Sequence, residues 1–225
     1  MRCLLCLSLS CWICLAQSIT IGAIAGGRAT DDVVAFHTPE SNVISGVPPF
    51  RLESRLYDVG ATLEVGLPHG LSLEGDALYH RQGYFYTFYT GSFFYETYGE
   101  RDNTWELPLL LKYTLRRRTM NPFVEAGATA RMIAGRTTAI SQNDFAILGP
   151  PSIAAYQASY SPSAGFVVGA GPRFHVGSLR FAPQIRYTRW LTAPVWGADG
   201  ARIGGTFSSN LNQVDLLVGI GWRLR

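Results

Sequence analysis

Residues 56–80, LYDVGATLEVGLPHGLSLEGDALYH, alternate apolar and polar positions, and the polar ones include Asp58, Glu64, Glu74 and Asp76. A period of two places successive side chains on opposite faces of a strand, so this stretch predicts two strands with one apolar and one acidic face. The same alternation recurs at 18–27, 56–67, 71–82, 104–115, 121–132, 165–176, 179–190 and 212–224. Each segment is close to the roughly ten residues that a tilted strand needs to cross a bilayer.

The connections carry a second pattern. PHG follows the second segment, RRRTM the fourth and GS the sixth, all short enough for hairpins. The stretches 28–55, 83–103, 133–164 and 191–211 are long and rich in Gly, Ser, Thr, Pro and Asn. Loops of that length are unusual in a compact soluble domain. Short turns at one end and long loops at the other are the layout of outer-membrane barrels. The expected fold class is therefore all-β, an eight-stranded antiparallel up-and-down transmembrane β-barrel, with turns in the periplasm and loops outside the cell. A soluble sandwich or lipocalin-like barrel would also alternate, but would bury its apolar face.

Aromatic placement favours the membrane reading. On the apolar face, Tyr57, Tyr79, Trp105 and Tyr187 fall at the loop end and Tyr113 and Trp222 at the turn end, with Val59, Leu63, Val65, Leu107, Leu109 and Leu111 between them. An apolar band with an aromatic girdle at each rim is what a bilayer selects. Pro108, Pro172 and Pro183 fall inside predicted strands. A closed barrel has no free edge to tolerate a missing N–H, so a local bulge is expected at each.

Composition adds location. The charged fraction is 16% and the net charge +3, and the single lysine, Lys112, leaves no Lys-rich patch for nucleic acid. MRCLLCLSLSCWICLAQS begins the chain with Arg2, an apolar run and small residues near Ala16, the form of a signal peptide. Residues 1–16 are read as that peptide and 17–225 as the barrel. All four cysteines, Cys3, Cys6, Cys11 and Cys14, lie in the cleaved segment. Their two C-x-x-C pairs have no fixed shell there, and neither a metal nor another cofactor is expected.

TWELPLLLKYTL at residues 104–115 resembles the bacterial outer-membrane β-barrel family that includes PorT-like proteins and, more distantly, OmpA-like eight-stranded barrels. SITIGAIAGG and GFVVGAGPRFHVG are similar to that family as well. The resemblance implies an outer-membrane location in a Gram-negative-type bacterium and a closed eight-stranded barrel. It also implies insertion by the barrel-assembly machinery, whose C-terminal signal is partly matched by Gly219, Trp222 and Leu224 and departed from at Leu217 and Arg225. Lipid and lipopolysaccharide of the outer membrane are the implied surroundings. A role in assembly or secretion is one implied alternative.

With the apolar face on lipid, the other face lines the lumen. It carries acids Asp58, Glu64, Glu74, Asp76, Glu106, Glu125 and Asp215 and bases Lys112, Arg131, Arg173, Arg180, Arg186 and Arg223. Near balance in an enclosure of low dielectric predicts an ion-pair network. One antiparallel register sets Lys112 opposite Glu125 and Glu106 opposite Arg131. Glu64 and Glu74 become cross-strand neighbours around PHG, a repulsive pair that predicts Arg173, Arg180 or Arg223 within ion-pair reach. Eight strands leave room only for side chains, so a polar plug is expected instead of an open pore, with a small-solute channel as the alternative.

Catalysis has little support. Lipid A deacylases of this size place His and Ser two apart on one outward face, whereas His175 and Ser178 are three apart, with His175 inward and Ser178 in a turn. The pairing of His80 with Asp58 reads as a lumen contact. Tyr84, Phe85, Tyr86, Phe88, Tyr89, Phe93, Phe94, Tyr95 and Tyr98 crowd one loop, either as strand extensions or as a surface for an extracellular partner. Arg116, Arg117 and Arg118 read as a solvated periplasmic turn. The expectation is a structural or surface-interaction protein and not an enzyme.

Overall fold

A computed structural model of the chain describes residues 18–35, 50–52, 55–89, 95–115, 120–143, 159–160, 162–192, 195–198 and 206–224. Eight long strands form one antiparallel sheet: β1 Ser18–Arg28, β2 Arg55–Gly66, β3 Leu71–Tyr89, β4 Tyr95–Thr114, β5 Asn121–Asn143, β6 Ser163–Val176, β7 Leu179–Trp190 and β8 Asn212–Leu224. Each pairs with its neighbours in sequence, and β1 pairs with β8, so the sheet closes into an up-and-down barrel. No helix among the described residues is long and apolar enough to cross a membrane.

The apolar face is outside. Leu109 and Val124 are each 57% exposed and Phe166 is 60% exposed, while Asp58, Arg131 and Lys112 are buried. A fold that leaves its aliphatic face uncovered and encloses its charges suits an apolar surrounding and a polar interior. Tyr57, Trp105 and Tyr187 at the loop end, and Tyr113 and Trp222 at the turn end, are all exposed on that outer face. Tyr79, half-buried, packs on Trp105 with ring centroids 5.4 Å apart and donates to Asn103 at 2.8 Å.

At the turn end the chain reverses through Pro68–Gly70, where His69 (φ 62°) and Gly70 (φ 81°) are left-handed, and through Gly177 (φ 63°). At the loop end β3, β4 and β5 run further than their membrane-length segments. Tyr84 to Tyr89 of β3 pair with Tyr95 to Glu100 of β4, which in turn pair with β5 out to Asn143. The aromatic and β-branched residues of this stretch favour continued pairing, which carries both strands past the aromatic rim. Tyr84, Phe85, Tyr86, Phe88 and Tyr89 thus lie in β3 and Tyr95 and Tyr98 in β4. Phe93 and Phe94, the signal segment with its cysteines, and Arg116 to Arg118 lie outside the described residues. Beyond the rim, Val33–Ala35, Thr206–Ser209, Val195–Ala198 and Ser159–Tyr160 pair into a separate four-stranded sheet. Phe50–Leu52 adds to the β3 extension.

The prolines correct the expectation of bulges. Pro108 sits opposite Thr129 in an unbroken ladder with β5. Towards β3, pairing lapses between Gly75–Leu109 and Leu78–Glu106 and resumes in the same register. Pro172 and Pro183 share a second lapse, between Ala170–Ile185 and Phe174–Phe181, again without slippage. Their other sides pair regularly, Pro172 with Pro122 and Pro183 with Val218. A missing N–H is accommodated by omitting local hydrogen bonds, and no extra residue is inserted. The register shifts that do occur are at the loop-end rim, between Arg55 and Val59 and between Asn103 and Thr104.

Closure of β1 on β8 depends on glycine. A Cβ on Gly26 would meet the Leu216 carbonyl oxygen at 2.0 Å, and one on Gly22 the Ile220 oxygen at 2.2 Å. Only hydrogen fits where the two backbones approach this closely.

Candidate functional site

The lumen holds two charged clusters. The loop-end cluster is organised by Arg28, the last residue of β1. Its guanidinium reaches Asp58 and Glu106 at 3.0 Å each and Asp215 at 3.2 Å, and it also bonds Asp32. His80 lies 3.3 Å from the same guanidinium and 3.6 Å from Asp58 and Glu106. Arg131 donates to Glu106 at 2.8 Å and to Gln213, while Gln213 donates to Asp215 at 2.7 Å. Trp190 closes this side: its ring lies 3.9 Å from the Arg131 guanidinium carbon, and its indole N–H donates to Gln213 at 2.9 Å. A guanidinium stacked on indole keeps its in-plane donors for carboxylates.

The second cluster lies towards the turns. Arg186 donates to Glu125 and Asp76 at 2.7 Å each and to Glu74 at 2.9 Å, so one cation ties β7 to β5 and β3. Lys112 bridges Glu74 at 2.6 Å and Glu125 at 2.9 Å. Phe123 also points inward, its ring 4.7 Å from the Lys112 ammonium and 5.2 Å from the Arg173 guanidinium. Glu64 and Glu74 are direct cross-strand partners. Glu64 is met by Arg173 at 3.0 Å and Arg180 at 2.8 Å, and Arg180 also stands 4.0 Å from Glu74. A like-charge pair that would repel in isolation is thus held by cations from the opposite wall. Ile24, Leu78 and Leu217 form a small buried apolar cluster on the lumen face. It occupies the strand positions between the two charged groups.

Lys112 pairs with Glu125 and Glu106 with Arg131 in the ladder as well as in their ion pairs. Arg223 does not join the network: it is exposed at the turn-end mouth, one residue from the end of β8, where the enclosing wall stops. His175 faces inward but stands exposed at this mouth, its ring nitrogen 3.5 Å from the Asn121 amide. Ser178 lies in the adjacent turn. Arg28, Asp32, Gln213 and Trp190 were not legible as lumen residues. Arg28 falls just past the predicted end of β1, Asp32 lies beyond the strand, Gln213 is uncharged, and Trp190 is the uncharged last residue of the predicted segment 179–190. Extending each strand's alternation by one residue would have found Arg28.

No protein-family model matches the chain, and no curated protein matches it significantly. Solved structures do. The outer membrane protein OprG of Pseudomonas aeruginosa superposes with a TM-score of 0.59 at 12% identity, covering 93% of this chain and 97% of that one. Neisserial surface protein A matches with a TM-score of 0.45 at 10% identity, covering 91% and 96%. The N-terminal β-barrel domain of Pseudomonas aeruginosa OprF matches with 0.43 at 10%, covering 93% and 98%. These neighbours are bacterial outer-membrane barrels, and at such identity the likeness to OprG establishes the fold the chain shares with them.

Proposed function

We propose that the chain is an outer-membrane barrel with a structural or surface-interaction role, its lumen closed by the ion-pair network and its long loops facing outside the cell. The observation that carries this reading is the inverted distribution of polarity, with exposed leucines, valines and phenylalanines around buried carboxylates and guanidinia. Membrane lipid and lipopolysaccharide surround the band, and the barrel-assembly machinery inserts it. Closure is supported by the tightness of the interior: the cavity between Glu74, Lys112, Arg180 and Gln184 measures about 10 Å³, at most the space of one water. The interaction role is supported by the loop-end architecture, in which the β3–β5 extension and the four-stranded sheet form a platform beyond the aromatic rim. The aromatic residues of that extension are its proposed contact surface. No catalytic role is assigned to His175 and Ser178.

The test combines location with a substitution. The full chain should fractionate with the outer membrane and migrate differently on gels with and without boiling. Leu109→Arg, in the middle of the apolar band, should destabilise the refolded barrel by about 2–4 kcal/mol in bilayers. A soluble periplasmic species, or a Leu109→Arg variant as stable as the parent, would overturn the reading.

A further inference from the structure

The charged groups of the lumen are not evenly distributed along its axis. At the loop end, Arg28 and Arg131 face Asp32, Asp58, Glu106 and Asp215. At the turn end the balance reverses around a cavity of about 530 Å³, bounded by the ends of all the strand hairpins and open at the mouth. Arg173, Arg180 and Arg223 line it, and Glu64 is the only carboxylate among its described lining residues.

Glu64 cannot neutralise that set. Arg173 and Arg180 both engage the same oxygen, Oε2, at 3.0 and 2.8 Å, and Arg223 makes no ion pair among the described residues. The nearest further acid is Glu74, 4.0 Å from Arg180 but already held by Lys112 at 2.6 Å and Arg186 at 2.9 Å. His175 stands on the same wall. Three of its lining residues also carry a buried polar atom with no hydrogen-bond partner among the described residues: the hydroxyls of Ser72 and Thr114 and the Nε–H of Arg173. Hydroxyls and guanidinium N–H groups around an excess of positive charge are the donor set that recognises a multiply charged oxyanion.

We propose that this turn-end vestibule is a binding site for a small dianionic oxyanion of the phosphate class. Arg223 and the free edges of Arg173 and Arg180 supply charge, and Ser72 and Thr114 supply neutral donors. The cavity is large enough for a phosphate or a small phosphomonoester, and its opening beside the short turns means that the ligand enters from the side opposite the long loops. The assignment does not depend on the role of those loops.

The experiment titrates the refolded full chain in a zwitterionic detergent with inorganic phosphate at low ionic strength, followed by calorimetry, with chloride as the monovalent control. Saturable one-site binding of phosphate is expected, with chloride competing weakly. The Arg223 side chain has no ion pair among the described residues, so Arg223→Gln should leave folding intact and weaken phosphate binding about tenfold, the loss of one charge-assisted contact. Ser72→Ala combined with Thr114→Ala should weaken it several-fold. Arg189→Gln, on the outer face at the loop end, should leave it unchanged. Absence of saturation, or the same affinity in Arg223→Gln and the parent, would overturn the site. Equal weakening by Arg189→Gln would show diffuse charge attraction and overturn it too.

Discussion

Replacing Arg186 by methionine should be among the most damaging changes in the barrel, and the size of the effect follows from its partners. Arg186 holds Glu125, Asp76 and Glu74 at 2.7, 2.7 and 2.9 Å. Without it, Lys112 still contacts Glu74 and Glu125, but Asp76 has no other ion pair among the described residues and is 6% exposed. Removing one partner of a buried pair costs about 3–5 kcal/mol because the other charge is left enclosed. Urea unfolding of the refolded chain in micelles, followed by tryptophan fluorescence, should show Arg186→Met destabilised by about 3–5 kcal/mol at pH 8. Adding Asp76→Asn removes the stranded charge and should recover at least half of the loss. A deficit below about 1 kcal/mol at pH 8, or no recovery in the double variant, would refute the claim that this cation organises the interior.

Trp190→Leu removes both the stack on Arg131 and the bond to Gln213. It should cost about 2–3 kcal/mol in the same assay, more than Trp222→Leu on the outer face. Gly26→Ala forces a methyl against the Leu216 carbonyl and should abolish the compact unboiled gel band, whereas Gly75→Ala, whose nearest neighbour is the Leu109 side chain at 3.9 Å, should retain it. Planar-bilayer recordings of the purified chain should show no stable large conductance, and a steady open level would refute the closed lumen.

Much of the architecture was legible because the barrel obeys a local rule: alternation sets both the strand and its facing. The Lys112–Glu125 and Glu106–Arg131 pairs were legible for a related reason, since a single register of one short hairpin satisfies both. What was not legible depends on three-dimensional closure. Arg28 becomes a hub only because β1 lies between β2 and β8, which brings Asp58 and Asp215 to it from opposite ends of the sequence. Arg223 has the right parity for the lumen but lies where the wall ends, and parity carries no information about depth. The prolines misled because Pro172 and Pro183 face each other, so one lapse serves both, and that pairing appears only once β6 and β7 are in register. The length of β3 to β5 was understated because a bilayer-length template stops at the aromatic rim, while the chain goes on pairing.

The seam between β1 and β8 bears on how the molecule is made. Seven of the strand pairings can form between neighbours as the chain collapses, but in the eighth even the nearest pair, Arg28 and Asp215, is 187 positions apart along the chain. Contacts of that separation are slow to form and come with the full entropy of ordering everything between them. Until they do, β1 and β8 are open edges able to pair with other chains, and the Asp215 partner of Arg28 is missing. Completion of the barrel therefore also completes the loop-end cluster, and a chain arrested before it would lack the Arg28–Asp215 bridge as well as the closed shape.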